Sequence, residues 1–277
     1  MSDNQRASAK AKTFFVFWYG FMVIWWVALH MLALTDTTAN YLYGGVFGLI
    51  PVIGGLVGLR RAKQWGLFRS AMGKACLFLS LGLITWGIGN QIWAHFNLTQ
   101  AIEVPYPSTA DIAYIVSWPL WALGVISLSR ATGARVSLRK MQGKIQLLVI
   151  PILIAALSYY VLVVVARQGV LVASDSTLKA FFDVAYPVGD IVILTLAALV
   201  FGLSYKHLGG RFRAPVLCIL FGFFLNYVGD ATFVWTVTKG TFTTGNWVDL
   251  IYTSAMTMLV LGVVALDPRA ALKDTTT

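Results

Sequence analysis

The sequence has few charged residues. Of its 277 residues, 12% are Asp, Glu, Lys or Arg and 58% are hydrophobic, whereas about one-quarter of the residues in a soluble globular domain are charged. The apolar residues lie in runs of about 18 to 24 residues separated by short polar loops, and runs of that length span a bilayer. This composition excludes an ordinary water-soluble fold and predicts an all-α integral membrane protein, with the lipid bilayer as its main partner.

Cysteine and the common catalytic motifs are also scarce. The two cysteines, Cys76 and Cys218, lie inside apolar runs, where cysteine is typically a small buried hydrophobe, so neither a disulfide nor a metal framework is indicated. The chain lacks a phosphate-binding glycine loop, a nucleophile elbow, a two-histidine zinc motif and a catalytic cysteine context. We therefore expect no enzymatic activity, and the sequence identifies no cofactor.

No cleaved signal peptide is indicated, because residues 1–12 are polar and the apolar run that follows, 13–34, is too long for a signal sequence. We take that run as the first of eight transmembrane helices. The division into domains follows from it: a cytoplasmic tail at 1–12, a single transmembrane domain at 13–266, and a second cytoplasmic tail at 267–277. The predicted spans are 13–34, 42–59, 72–96, 110–129, 144–166, 180–203, 214–237 and 247–266.

The positive charge predicts the orientation of these spans. If the N-terminus is cytoplasmic, all of the 21 Lys and Arg residues except Arg167, Lys179 and Lys239 lie on the cytoplasmic side, as the positive-inside rule requires. An even number of spans then places both termini in the cytoplasm. Since the basic residues are confined to loops, orientation accounts for the net charge of +10, and no nucleic-acid partner is expected.

Two halves of the sequence resemble each other, at about 13–129 and 144–266. Gly89-Asn90 matches Gly229-Asp230, and Leu123-Gly124-Val125 matches Leu261-Gly262-Val263. Similar matches link the other segments: Pro51-Val52 with Pro187-Val188, Phe68-Arg69 with Phe212-Arg213, Cys76 with Cys218, Asp111 with Asp249, and Tyr114 with Tyr252. Because each unit has four spans, both enter the membrane in the same direction, which predicts two parallel repeats around an axis along the membrane normal.

Five acids within the spans are the main functional signal, because an ionisable group in a bilayer costs about 2.5–3.5 kcal/mol on insertion scales. In the predicted topology all five lie in the extracytoplasmic half, and no Lys or Arg lies within the spans at that depth to neutralise them. Aromatic and amide groups accompany them, which is typical of a small-molecule pocket. The predicted ligand-binding residues are Asp111, Tyr114, Asp183, Tyr186, Asp190, Asp230, Asp249, Tyr252, Asn90 and Trp93, and Asn226 and Trp118 lie near the same level.

Structural roles compete with this interpretation. Asp111 and Asp249 follow helix-start residues, where a carboxylate favours the positive end of the helix dipole. The other three acids could hold helices together through hydrogen bonds between spans, and the Tyr and Trp residues could be interfacial anchors. His30 and His95, near the outer ends of the first and third spans, are weak candidates for the axial ligands of a haem.

Three motifs resemble a known membrane region. Residues 105–114 (PYPSTADIAY), 185–190 (AYPVGD) and 265–268 (ALDP) are similar to the N-terminal multi-helix sensor region of bacterial diguanylate cyclases and phosphodiesterases. The resemblance covers about two-thirds of the chain and implies a bacterial inner-membrane location. It also implies that Asp111, Tyr114, Tyr186, Pro187, Asp190 and Asp230 are family-motif positions. The sequence stops where the cyclase domain would begin, so no catalytic residue can be transferred.

Three functions remain open on the sequence alone. The leading one is a membrane sensor that binds a small molecule in an outward-facing acid and aromatic pocket and signals through a membrane or cytoplasmic protein partner. The second is an accessory subunit of a larger membrane complex that contacts partner helices, lipid or pigment. The third is a transporter, which embedded acids and a repeat would suit but which the apolar inner halves of the spans disfavour.

Overall fold

The computed structural model describes residues 3–100, 106–172, 176–204 and 212–268, and this part of the chain contains helices and loops but no strand. Eight helices are long and apolar enough to cross a membrane. Their bounds are α1 Asp3–Met31, α2 Thr38–Gln64, α3 Ala71–His95, α4 Thr109–Ala131, α6 Met141–Ser158, α7 Thr177–Ser204, α8 Arg213–Thr238 and α9 Trp247–Ala265, with a short α5 at Ala134–Ser137. A π-helical turn, Phe96–Gln100, continues α3, and a longer one, Tyr159–Ala166, continues α6.

The eight predicted spans are confirmed, and their order is unchanged: the fifth to eighth spans are α6 to α9. The largest difference is at the N-terminus, where α1 begins at Asp3, inside the predicted polar tail. Residues 7–12 are Ala-Ser-Ala-Lys-Ala-Lys, and alanine and lysine favour helix strongly enough to extend it beyond the apolar run. Of the predicted C-terminal tail, residues 269–277 lie outside the described residues.

Polar side chains fix the starts of several helices by satisfying backbone N–H groups that have no partner within the helix. The Ser70 hydroxyl accepts a hydrogen bond from the Gly73 N–H at 2.8 Å at the start of α3. The side chain of Asn246 accepts one from the Val248 N–H at 2.8 Å at the start of α9. These caps set where each span begins, and so fix the height of the side chains that follow.

The helices pack as two linked groups. In the first, α3 lies between α2 and α4, and in the second α8 packs along α9. The groups meet where α9 packs against α2 and where α4 packs against α7, while α1 lies on α9, and α6 with its π-helical extension lies on α7 and α8. Helices α4, α7, α8 and α9 therefore meet around a shared interior.

Glycines permit close approach within both groups. A Cβ atom at Gly89 of α3 would lie 2.9 Å from the Tyr114 ring of α4, and one at Gly229 of α8 would lie 2.7 Å from the Tyr252 ring of α9. Such distances are far inside van der Waals contact, so a side chain at either position would push the helices apart. Each glycine thereby positions the tyrosine that packs on it.

The two ends of the bundle differ in their polar groups. At the end where α2 terminates, called here the basic end, Arg61 lies in contact with the end of α9. The guanidinium donates from Nε to the Val264 carbonyl at 3.1 Å and from Nη1 to Asp267 Oδ2 at 3.1 Å. The Trp65 indole donates to the Leu266 carbonyl at 3.0 Å. Together these bonds tie the last turn of α9 to α2.

Candidate functional site

Asp111, at the start of α4, has both a capping role and a contact with another helix. Its Oδ2 accepts hydrogen bonds from the Ser108 backbone N–H at 2.6 Å and from the Ser108 hydroxyl at 3.0 Å. Its Oδ1 accepts one from the Tyr186 hydroxyl of α7 at 2.6 Å. The carboxylate thus joins α4 to α7, the contact between the two helix groups.

Tyr186 is held in place by its neighbours. Its ring meets that of Trp118 edge to face, with 5.0 Å between the ring centroids. Trp118 in turn packs against Gly189, where a Cβ atom would overlap the indole. Gly189 therefore leaves room for the Trp118 indole, and the indole in turn holds the Tyr186 ring in place.

Asp190 and Asp230 form a pair between α7 and α8, and their side chains are hydrogen bonded to each other. Asp230 also accepts a hydrogen bond from the Tyr252 hydroxyl of α9 at 2.7 Å and one from Asn226 Nδ2 at 2.7 Å. Two carboxyl groups can be hydrogen bonded to each other only if one oxygen carries a proton. The pair as arranged therefore contains one proton and one negative charge.

Trp86 of α3 lies between the site of Asp111 and the pair formed by Asp190 and Asp230. Its ring centroid lies 5.5 Å from that of Tyr114 and 5.7 Å from that of Tyr252, and the Tyr114 phenol lies within electrostatic range of Asp111 and Asp230. The predicted site residues that the structure brings together, with Asn226, are here called the carboxyl–tyrosine cluster. Its members are Asp111, Tyr114, Tyr186, Asp190, Asn226, Asp230 and Tyr252.

Asp249 lies next to this cluster and has a local role. It is buried, and its Oδ2 accepts a hydrogen bond from the Gly245 backbone N–H at 2.6 Å. It acts electrostatically on Tyr114. The geometry is that of a carboxylate stabilising the turn before α9, which is the capping role considered from the sequence.

Asp183 is separate from the cluster and has a basic neighbour. Its Oδ1 lies 3.7 Å from Nη1 of Arg167 and accepts a hydrogen bond from the Tyr106 hydroxyl at 2.9 Å. Burial and the bond to Asp183 raise the pKa of Tyr106 above its usual range. The expectation that no basic residue neutralises the acids is wrong here, because the long side chain of Arg167 extends from its loop to the start of α7.

Asn90 and Trp93 lie outside the cluster. Asn90 is buried and its Nδ2 donates to the Gly44 carbonyl of α2 at 2.8 Å. The Trp93 ring packs on Phe233 and Phe242, with centroids 5.9 and 6.4 Å away. Asn90 therefore joins α3 to α2, and Trp93 joins α3 to α8 and the loop that follows α8.

The two histidines weighed as haem ligands are both exposed. His30 Nδ1 donates to the Trp26 carbonyl one turn earlier at 2.9 Å, and the two rings lie 4.0 Å apart. The His95 ring packs near Phe96. Among the described residues no group of three or more His, Cys, Asp or Glu side chains could hold a metal ion.

Sequence reasoning missed Trp86, Arg167 and Tyr227. Trp86 lies in mid-span, where the interfacial preference of tryptophan does not account for it, and that position was the available signal. Tyr227 is buried near Asp190 and near the Ser158 hydroxyl. Neither hydroxyl completes a hydrogen bond of ordinary geometry, and neither position had a pattern that could have revealed this.

The cluster has an unusual charge balance. Within the described ranges, ion pairs join Arg61 to Asp267 and Arg167 to Asp183, and none involves Asp111, Asp190, Asp230 or Asp249. Burying unpaired carboxylates is costly. Tyrosine and amide donors, one shared proton and further positive charge are the means available to stabilise them, so the cluster is suited to binding protons or cations.

A groove with a volume of about 730 Å³ runs along the outside of α4 and α7. Apolar and small residues line it, among them Ile115, Pro119, Val184 and Val188, and Trp118 separates it from Tyr186. Its lining suits an acyl chain or an apolar helix surface rather than a polar ligand.

No protein-family model, curated protein or solved structure matches this chain. Inference about function therefore depends on the chemistry of the carboxyl–tyrosine cluster and on the packing around it. The arrangement provides hydrogen-bond acceptors and negative charge in a buried site between four helices.

Proposed function

We propose that the chain is a non-enzymatic membrane sensor whose binding site is the carboxyl–tyrosine cluster. The observation that carries the proposal is that three carboxyl groups, those of Asp111, Asp190 and Asp230, meet between α4, α7, α8 and α9 without an ion-pair partner among the described residues, and that the first two are buried. Ionisable side chains cost free energy inside a membrane, and those found there commonly have a function. A change in protonation or in a bound cation alters the hydrogen bonds that join these helices.

Transmission from the site can follow α9. Tyr252 connects the cluster to α9, and the end of the same helix is held by Arg61 and Trp65 at the basic end. A ligand that favours one arrangement of Asp230 and Tyr252 then shifts the equilibrium between two positions of α9. The signal is read at the basic end by a protein partner.

The proposed topology places the basic end and both termini in the cytoplasm and the cluster in the extracytoplasmic half, in keeping with the positive-inside rule. The proposal also includes two parallel four-helix repeats. Corresponding contacts support them: Gly89 on Tyr114 recurs as Gly229 on Tyr252, and Gly124 on Leu79 recurs as Gly262 on Ile219. The resemblance to the sensor region of bacterial cyclases and phosphodiesterases fits this reading and a bacterial inner-membrane location.

A second proposal is an accessory subunit of a larger membrane complex. The apolar groove along α4 and α7 and the exposed aromatic face of α1, with Phe14, Phe17 and Phe21, favour it. A native mass spectrum of the protein in mild detergent, combined with an absorption scan, separates the two proposals. A partner or pigment at fixed ratio supports the subunit, and a chain without either supports the sensor.

Hydrogen–deuterium exchange tests the sensor directly. In lipid nanodiscs at acidic and alkaline pH, the sensor proposal predicts a change in exchange rate at residues 60–70 and at the end of α9, corrected for the intrinsic effect of pH. Asp230→Asn removes this response, whereas the matched variant Asp183→Asn retains it. Equal responses in both variants, or none in the wild type, would contradict the proposal.

A further inference from the structure

Asn226 has an oxygen that the cluster does not satisfy. Its side chain is 4% exposed, and its Nδ2 donates to Asp230 Oδ2 at 2.7 Å, so the amide group lies against the acid pair. Its Oδ1 is buried and has no hydrogen-bond partner in the described part of the chain. An unsatisfied buried carbonyl oxygen costs about 1–3 kcal/mol, so this atom points to a group that is bound there.

A shared proton does not account for this oxygen. The proton between Asp190 and Asp230 satisfies one oxygen of each carboxyl group and leaves Asn226 Oδ1 unpaired. A cation at the pair takes both carboxylates as ligands, and the Asn226 amide, whose Nδ2 faces Asp230 in the cation-free arrangement, supplies Oδ1 as a third ligand by rotating about its Cβ–Cγ bond. The buried Tyr227 hydroxyl, near Asp190 and also without a completed hydrogen bond, is a further oxygen in the neighbourhood of the pair.

The chemistry of these ligands identifies the class of cation. All of them are oxygens, which prefer hard cations to transition metals. Two carboxylates and an amide are fewer ligands than the six to eight oxygens that Ca²⁺ takes, and Mg²⁺ gives up its water shell reluctantly. A monovalent cation replaces the shared proton with no change in the net charge of the pair, which avoids the cost of extra charge within the membrane.

We propose that Asp190, Asp230 and Asn226 Oδ1 bind one Na⁺ ion in exchange for the proton that the two carboxyl groups otherwise share. This inference rests on the proposed function, since it names the ligand of the same site. The exchange is balanced: one Na⁺ enters, one proton leaves to solvent, and the pair keeps one net negative charge. Binding separates the two carboxyl groups and so changes the contact between α7 and α8.

Other titratable groups surround the pair and set its pH range. Tyr252 acts on it from α9, Tyr114 from α4, Tyr186 from α7, Tyr227 from α8 and Arg167 from the segment after the π-helical turn, while Asp111 and Asp249 act on Tyr114 beside it. Arg167 is the nearby cation, and it makes its contacts with Asp183 and the backbone. Its charge opposes a second cation at the pair, which limits the site to one.

The test is ²²Na⁺ binding to the purified full chain in nanodiscs, with N-methylglucamine replacing Na⁺ at constant ionic strength. The expected result is saturable binding of one Na⁺ per chain that weakens as the pH falls. Asn226→Leu, which keeps the size of the side chain and removes Oδ1, lowers the affinity at least about tenfold. Asp36→Asn, which neutralises an exposed acid in the loop before α2, leaves it unchanged, and Asp190→Asn abolishes saturable binding.

Wild-type binding keeps the proposal testable even where a variant fails to fold. Absence of saturable Na⁺ binding by folded wild type, binding displaced by Mg²⁺ or Ca²⁺ at lower concentration than Na⁺, or full affinity in Asn226→Leu would overturn it. If Na⁺ binding is absent but the pH-dependent exchange at the basic end persists, the sodium site is wrong and the sensor stands. If both are absent, both proposals fail.

Discussion

The interface between α2 and α3 and the interface between α7 and α8 are closed in different ways. At the first, a Cβ atom on Gly55 would lie 2.7 Å from the Ser80 carbonyl, and Asn90 and Gln91 each donate a 2.8 Å hydrogen bond to a backbone carbonyl of α2. Small residues and neutral donors therefore bring these two backbones together with the amide N–H groups satisfied.

At the second interface, side chains rather than backbones meet. Asp190 and Asp230 share a hydrogen bond, Asn226 keeps an unpaired oxygen, and α6 with its π-helical extension packs on the same helices. Neutral close packing gives one arrangement of two helices, since packed interfaces resist continuous deformation. A carboxyl pair has at least two arrangements, with and without its proton. The interface between α2 and α3 is therefore rigid, whereas the interface between α7 and α8 can respond to protonation.

The largest expected effect tests the charge at the responsive interface. Removing the shared proton leaves two negative charges in contact, which repel by about 4 kcal/mol at a separation of ~4 Å and an effective dielectric constant of ~20. The wild type, in Na⁺-free buffer, should therefore lose thermal stability as the pH rises, and Asp190→Asn should be nearly independent of pH in the same range. The measurement is a thermal unfolding series across pH in detergent.

The same pH dependence in the variant and the wild type would contradict this prediction. If Asp190→Asn and the wild type lose stability in parallel as the pH rises, the shared proton is not the group that titrates. Asp183→Asn serves as the control, because its ion pair with Arg167 lies outside the cluster.

The next effect tests the rigid interface. Gly55→Ala places a Cβ atom 2.6 Å from Ile84 Cγ1 as well as against the Ser80 carbonyl, and overpacking of this kind costs about 1–3 kcal/mol. Gly20→Ala is the control, since nothing lies within 4 Å of a Cβ atom there. Unfolding temperatures in the same detergent should fall for the first variant and not for the second, and equal values would show that α2–α3 is not closely packed.

The smallest effect concerns the tyrosine hydroxyls. Tyr252→Phe and Tyr186→Phe each remove one hydrogen bond between helices, worth about 0.6 kcal/mol on average and up to about 1.7 kcal/mol in membranes. Tyr160→Phe, at an exposed position, should have no measurable effect. Denaturation of the purified variants by detergent titration measures the differences, and equal loss in all three would remove the cluster as a source of stability.

The fold could be predicted from the sequence because its signals are local. Run lengths and intervening basic loops define the eight spans, and the helix starts at Ser70 and Asn246 follow ordinary capping chemistry. The extension of α1 back to Asp3 was missed because the apolar pattern marks the membrane-spanning part of a helix and not its polar continuation.

The site could be predicted only in part. The acids were identified by their cost within a bilayer and the tyrosines because they accompany the acids, and the cluster contains most of both. Asn90 was included as an amide at the level of the acids, yet Gly48 lets α2 approach it and the Gly44 carbonyl accepts its hydrogen bond. Arg167 was left out because the sequence shows that it lies in a loop but does not show how far its side chain extends. Pairings such as Tyr186 with Asp111 depend on helix rotation, which spacing along one helix does not fix.

Infrared difference spectroscopy tests the central claim most directly, since a protonated carboxyl group has a C=O stretching band distinct from that of a carboxylate. In Na⁺-free buffer near neutral pH, the account predicts a protonated carboxyl band in the wild type that is lost in both Asp190→Asn and Asp230→Asn and kept in Asp183→Asn. A wild type without that band, or a band that survives in both cluster variants, would contradict the claim that Asp190 and Asp230 share a proton at the sensing site.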